Sequence, residues 1–192
     1  MLTFNNKIVL SNDKWIEKPL PPIPLNVIRV RTNDGLVPVK DKWSTYGSAT
    51  LVPGTPDVYD VSVGSPIASD SLHGATNVIE VLGANIPAAV NINNLFYGCS
   101  SLRTVKPFNT SSAKYMHYMF YGCSSLQTVP LFDTSKVIKM NFMFYGCSAL
   151  QSVPLFDTSN VTDMFAMFHD CSSLQTVPLF DTSAATNTGQ MF

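Results

Sequence analysis

The sequence predicts an α/β repeat fold: a solenoid of 24-residue units, each with a short strand and a short helix, preceded by a small antiparallel β domain. Three observations point there. Cys99, Cys123, Cys147 and Cys171 stand 24 residues apart, as do Leu102, Leu126, Leu150, Leu174 and Phe108, Phe132, Phe156, Phe180, and self-similarity at such a period marks stacked repeats. Within a unit the apolar residues follow a helical stripe. After each cysteine a short β-prone run ends at a proline. A unit this short cannot bury its apolar face alone, so neighbouring copies must share one core.

Taken from the N-terminus, residues 1–24 form the first region. Leu2 to Phe4 and Lys7 to Leu10 around Asn5-Asn6 read as a small hairpin, followed by Trp15. Four prolines between Pro19 and Pro24 forbid a helix and favour an extended, semi-rigid segment. It is either a stiff linker behind an N-terminal anchoring peg or an edge segment lying along its own domain.

Residues 25–70 read as a small β domain. Val27 to Arg31, Leu36 to Val39, Ala49 to Val52 and Val58 to Val63 are short β-prone runs separated by turn signals such as Asn33-Asp34-Gly35 and Pro53-Gly54. Its expected tasks are to cap the repeats and to fix them to whatever the N-terminus holds.

Residues 71–192 read as the solenoid. Residues 71–94 align with the repeat at the same offset, Leu72 against Phe96, Gly74 against Gly98 and Ile92 against Met116, and make a degenerate capping unit. In Thr134 to Cys147, Val137, Met140, Met143, Phe144 and Cys147 share one helical stripe. Asp133, Thr134 and Ser135 supply N-cap chemistry and Gly146 a left-handed stop. The run after the cysteine, Ser-Ser-Leu-Gln-Thr-Val in its commonest form, reads as a strand of three or four residues, stopped by Pro130, Pro154 and Pro178. One strand and one helix per turn make the coil leucine-rich-repeat-like. The last unit is incomplete at Phe192, so either the solenoid continues or a partner covers that end.

The pattern F-D-T-S-x-V-T-x-M-x-x-M-F-x-x-C-S-S-L-x-x-V-P, complete from Phe156 to Pro178, resembles the BspA-type surface leucine-rich repeats of bacteria, which also occur in tail and surface proteins of gut bacteriophages. The resemblance spans residues 95 to 192 and implies a non-enzymatic adhesin or host-contact module. Departures fall in the end units: Lys106-Pro107 alters the Val-Pro spacing, and Ala184, Ala185 and Thr188 replace apolar positions.

Composition excludes several classes. With 45% hydrophobic residues in 192, a real core is expected, and only 13% of residues are charged, about half the usual share. Seven basic and seven acidic residues lie before residue 71, then five and six after it, so neither part has the basic excess that phosphate backbones demand. No apolar run is long enough for an export signal or a bilayer span, so no membrane insertion is expected.

The cysteines lie on the apolar stripe and lack paired C-x-x-C spacing, which favours a reduced core ladder over disulfides or zinc. Asp133, Asp157 and Asp181 read as caps rather than calcium ligands, and His73, His117 and His169 have no recurring ligand or triad partner. No catalytic residue, cofactor or metal is therefore assigned. Two columns remain as candidate binding surfaces. Arg103, Gln127, Gln151 and Gln175 recur beside the strand, next to Thr104, Thr128, Ser152 and Thr176. Tyr97, Tyr121, Tyr145 and His169 form an aromatic column, suited to stacking on sugars or filling a partner's pocket, or else to packing beside the glycine that follows.

The expected function is that of a bacteriophage virion protein of tail, fibre or head surface. Its N-terminal region would dock on other virion proteins, and its repeats would face a host surface protein or glycan. The alternative is a bacterial cell-surface adhesin of BspA type, and a third reading is the targeting module of a larger hydrolase. Homo-oligomerisation is open, since no heptad or collagen-like pattern occurs.

Overall fold

A computed structural model describes residues 3–4, 7–9, 15–17, 19–36, 38, 48–63, 71–86 and 91–192. Near the N-terminus, β1 (Thr3–Phe4), β2 (Lys7–Val9) and β3 (Trp15–Glu17) pair antiparallel in that order. The Lys7 run thus pairs on both sides, with Thr3 opposite Ile8 and Val9 opposite Trp15.

The second sheet contains β4 (Val27–Thr32), β5 (Ser48–Leu51), β6 (Val58–Ser62), β7 (Val78–Asn85) and β8 (Thr104–Val105). Its order is β5-β6-β4-β7-β8, antiparallel except for the parallel β7/β8 pair. Three of the four β-prone runs expected between residues 25 and 70 become strands, while the fourth, Leu36 to Val39, falls partly outside the described residues. The central strand β4 is buried on both faces, so its sequence VIRVRT is not a simple alternation. Arg29 and Thr32 are the polar residues buried in it, and Arg29 carries a charge. It is 2% exposed, and it donates from Nε and Nη2 to the two Asp60 carboxylate oxygens at 2.6 and 2.7 Å and from Nη1 to the Pro21 carbonyl at 2.5 Å. That bidentate pair satisfies a charge whose burial alone would be costly. It also binds the proline run to the sheet, where Asn85 Nδ2 donates to the Ile23 carbonyl at 3.0 Å. Gly83 leaves room for Ile23, because a Cβ there would come within 2.9 Å of its side chain.

From β7 onward the chain coils in rungs of 24 residues, marked by parallel bridges that link Asn91, Tyr115, Lys139, Asp163 and Asn187 in succession. There is no helix among the described residues. This corrects the α/β, leucine-rich-repeat-like fold class: the regular architecture is an open, mixed, five-stranded sheet, and each expected helix is a series of turns. The hydrogen bonds supply the reason. In Thr134 to Cys147, the amides of Met140, Phe142, Phe144 and Gly146 donate to the carbonyls of Asp163, Phe165, Met167 and His169 in the next rung, at 2.9 to 3.0 Å. A helix would spend those amides on carbonyls four residues back. The alternate amides of Val137, Met143, Tyr145 and Cys147 close tight turns on Thr134, Met140, Phe142 and Phe144. Left-handed residues, Phe142 at φ 58° and Gly146 at φ 71°, interrupt any helical run.

The apolar stripe itself is as expected, since Val137, Met140, Met143, Phe144 and Cys147 are all fully buried. A turn series that places core residues three and four apart mimics the helical period. The post-cysteine strands also shrink. Only Thr104–Val105 is a strand, where it meets β7; in later rungs that stretch keeps single ladder bonds such as Gln127 N to Arg103 O at 3.2 Å. Asp133 caps no helix. Its Oδ1 accepts from Ser135 N and Oγ at 3.1 and 2.7 Å, a local turn that Asp157 and Ser159 repeat. Buried Thr110, Thr134 and Thr158 donate from Oγ1 to the carbonyls of Asp133, Asp157 and Asp181 in the following rung, and so bind the rungs laterally.

Identical residues stack along the core. Phe96, Phe120, Phe144 and Phe168 lie face to face at 5.4 to 5.6 Å. A parallel row packs against it, with Phe132 and Phe156 buried and Phe108 and Phe180 half-buried. Truncating Phe144 to Ala should cost about 3–5 kcal/mol, because its cavity is bounded by rings above and below that cannot collapse inward. Leu155→Ala, at a residue 60% exposed, should stay within about 0.5 kcal/mol. Urea denaturation of both variants measures the contrast, and equal losses would contradict the placement of the core.

Candidate functional site

The aromatic column predicted at Tyr97, Tyr121, Tyr145 and His169 exists as one continuous stack, and His73 extends it by one rung. Successive ring centroids are 4.4, 4.6, 4.8 and 5.0 Å apart from His73 to His169, with planes within 5° of parallel. All five rings are half-buried. Parallel rung stacking fixes their separation near the distance of adjacent strands, about 4.8 Å. The facing ring surfaces are therefore covered by one another.

Gly74, Gly98, Gly122 and Gly146 follow these rings in sequence and form a column of their own, with φ between 68° and 71°. A Cβ on Gly122 would meet only the Gly98 Cα, at 3.8 Å. Two residues further on, Ser124, Ser148 and Ser172 are exposed, and each Oγ donates to the serine carbonyl of the rung before, at 3.3 to 3.4 Å. A column of left-handed glycines, each close to the glycine backbone of the preceding rung, thus separates the tyrosine and serine columns in sequence. Asp170 takes the glycine's place in the rung after Gly146 with the same left-handed backbone, φ 61°. Its Oδ2 lies 3.3 Å from His169 Nδ1.

Burial, then the neighbouring Tyr121 and Tyr118, hold Tyr97 above its ordinary value. Tyr145 is raised mainly by the Asp170 charge. Tyr118 is raised by burial, then by Tyr121 and Asp163.

A second aromatic column escaped the sequence reading. Tyr118 stacks on Phe142 at 4.7 Å, Phe142 meets Phe165 edge-on at 5.3 Å, and Tyr118 lies 5.8 Å from Tyr121. Tyr118 and Phe142 are 24 apart, so the spacing was visible, but a helical reading gave it no outward direction. Phe165 is one position off the period and left no signal. His73 was missed because its rung is degenerate.

The polar column lies apart from these rings. Arg103, Gln127, Gln151 and Gln175 are all exposed, as are Thr104, Thr128, Ser152 and Thr176 beside them. The predicted site residues therefore form two separate rows, one aromatic and one of exposed amides. A third row is Leu131, Leu155 and Leu179, 65, 60 and 97% exposed; it follows the prolines and was not singled out from sequence.

The four cysteines are free and buried. Cys123 and Cys147 donate from Sγ to the carbonyls of Phe96 and Phe120, both at 3.1 Å. Among the described residues no group of three or more His, Cys, Asp or Glu side chains converges to hold a metal ion. No helix there is long and apolar enough to cross a membrane.

Residues 90–192, more than half of the chain, match the family described as Mycoplasma protein of unknown function, DUF285. No curated protein and no solved structure matches the chain.

Burial raises the Cys123 and Cys147 thiols well above their ordinary range and Cys171 to about 11. A thiol with a raised folded pKa stabilises the fold below the unfolded value and loses that contribution as pH rises through the folded one. Stability should accordingly fall from about pH 9 upward as unfolded thiols ionise, measured by denaturation between pH 7 and pH 11. At pH 8 a thiol reagent should label the native protein at a small fraction of the unfolded rate, with Cys171, the most exposed of the four at 9%, reacting first. Fast labelling of all four would contradict the ladder.

Proposed function

We propose, given that the chain belongs to the family of Mycoplasma proteins of unknown function DUF285, that it is a non-enzymatic adhesion module displayed on a virion or bacterial cell surface. The observation that carries this reading is the repetition of exposed rows at rung spacing, above all Arg103, Gln127, Gln151 and Gln175. Rows of like side chains on a rigid stack present many equivalent weak contacts at once, which suits binding to a repetitive surface. Such rows offer no nucleophile paired with a base, as catalysis would require.

In the phage setting this is a tail, fibre or head-surface component. The N-terminal region docks on other virion proteins, and the repeats contact a host protein or glycan. In the cellular setting the same surface belongs to an adhesin of BspA type, and the family description, which names Mycoplasma proteins, favours that setting.

The fluorescently labelled 192-residue protein should bind intact bacterial or host cells saturably. Gln127→Glu with Gln151→Glu should weaken that binding by roughly tenfold if the amide row is central to the contact. Immunogold labelling of source cells and particles separates the two settings. Absence of saturable binding to any cell or particle would overturn the adhesion reading.

A further inference from the structure

We infer that residues 19–25 form a releasable strap, docked on the β4 and β7 side of the sheet by side chains alone, whose release lets the N-terminal strands swing on a proline tether while the rest of the fold stays intact. The inference goes beyond the adhesion reading and stands whatever the repeats bind. Burial along the strap carries the first step. Leu20, Ile23 and Asn26 are half-buried, while Pro19, Pro21, Pro22, Pro24 and Leu25 are exposed. An inward residue at every third position has the period of a polyproline II rod, so the segment lies along the sheet with one edge down.

Its docking differs from that of a strand. Prolines lack amides, and among the described residues no ladder bond joins residues 19–25 to a neighbouring strand. The sheet instead reaches for the strap's carbonyls with side chains. Arg29 donates from Nη1 to the Pro21 carbonyl at 2.5 Å and from Nη2 toward the Pro22 carbonyl at 3.5 Å, and Asn85 Nδ2 donates to the Ile23 carbonyl at 3.0 Å. The remaining tie is steric. Ile23 Cδ1 occupies the space that a Cβ on Gly83 would need, 2.9 Å away, so a missing side chain on β7 makes the socket for the strap's central residue.

Release leaves the sheet whole. β4 pairs with β6 on one side and with β7 on the other, so lifting the strap breaks none of its ladder bonds. Arg29 keeps its bidentate pair with Asp60, at 2.6 and 2.7 Å, and meets water in place of two carbonyls. No charge is stranded in an apolar interior, which is the costly outcome. The moving part ends at Asn26, with left-handed φ 57°, whose amide donates to the Asn85 carbonyl and whose carbonyl accepts from the Val63 amide, both at 2.8 Å. Polyproline II needs no internal hydrogen bonds, so the freed strap stays extended. At about 3.1 Å per residue, residues 19–25 then supply a stiff tether of roughly 22 Å.

Thiol labelling of the full 192-residue protein carrying Ile23→Cys tests this, with the buried native Cys147 as the internal reference and mass spectrometry of the two peptides as the readout. The new thiol should react much faster than Cys147 yet well below its rate in the urea-unfolded protein, because the strap opens without the rungs. Adding Asn85→Ala, which removes one donor and keeps the backbone, should speed labelling at position 23 about fivefold to tenfold and leave Cys147 as it was. Leu20→Cys, at the next inward position, should respond in the same way and guards against a local effect of truncating Ile23. Labelling at position 23 in step with Cys147 would show the strap to be a fixed part of the fold, and labelling at the unfolded rate would show it undocked; either result overturns the inference, as does a rate that Asn85→Ala leaves unchanged at both positions.

Discussion

Lateral hydrogen bonding between rungs is the constraint on which the rest of this structure depends. Alternate amides along the turn series, such as Met116, Tyr118, Phe120 and Gly122, donate to carbonyls 23 residues ahead. Buried backbone donors must be paired, and for this alternate set the partner lies in the next rung. A single unit cannot satisfy itself, so the fold exists only as a stack. The same bonds hold equivalent residues one above another. They convert a 24-residue period in sequence into columns of like side chains in space.

Those columns explain both the stability and the surface. Inside, phenylalanine rings, buried methionines and thiols repeat without change of shape, so each rung is a template for its neighbour. Outside, the same register produces a tyrosine stack, a glycine column, and serine, amide and leucine rows. Only at the N-terminal end does the pattern yield to a conventional sheet, where β7 pairs with β4 on one side and with β8 on the other. Arg29 then joins the proline run, β4 and β6 through one buried cation.

Legibility varied with the kind of question. The rung period, the buried stripe of Val137, Met140, Met143, Phe144 and Cys147, and β4, β5 and β6 could all be read from spacing and β-propensity, because burial and alternation leave direct traces in residue type. Helix could not be told from turn series. Both place apolar residues three and four apart, and the deciding fact is where the Phe142 and Phe144 amides find acceptors, which lies in the next rung. The aromatic column was readable as a period at Tyr97, Tyr121 and Tyr145. Its relation to Tyr118 and Phe142, and the closing of its ring faces, was not.

By itself the sequence determined that the chain repeats, which residues of each unit face the core, and that its surface is poor in charge, because these follow from residue type and spacing alone. Tertiary structure decided that the units contain turns instead of helices, that the proline run lies on its own sheet, and that the tyrosine faces cover one another. Each of those outcomes depends on partners one rung or several strands away, and no local preference of the backbone encodes them.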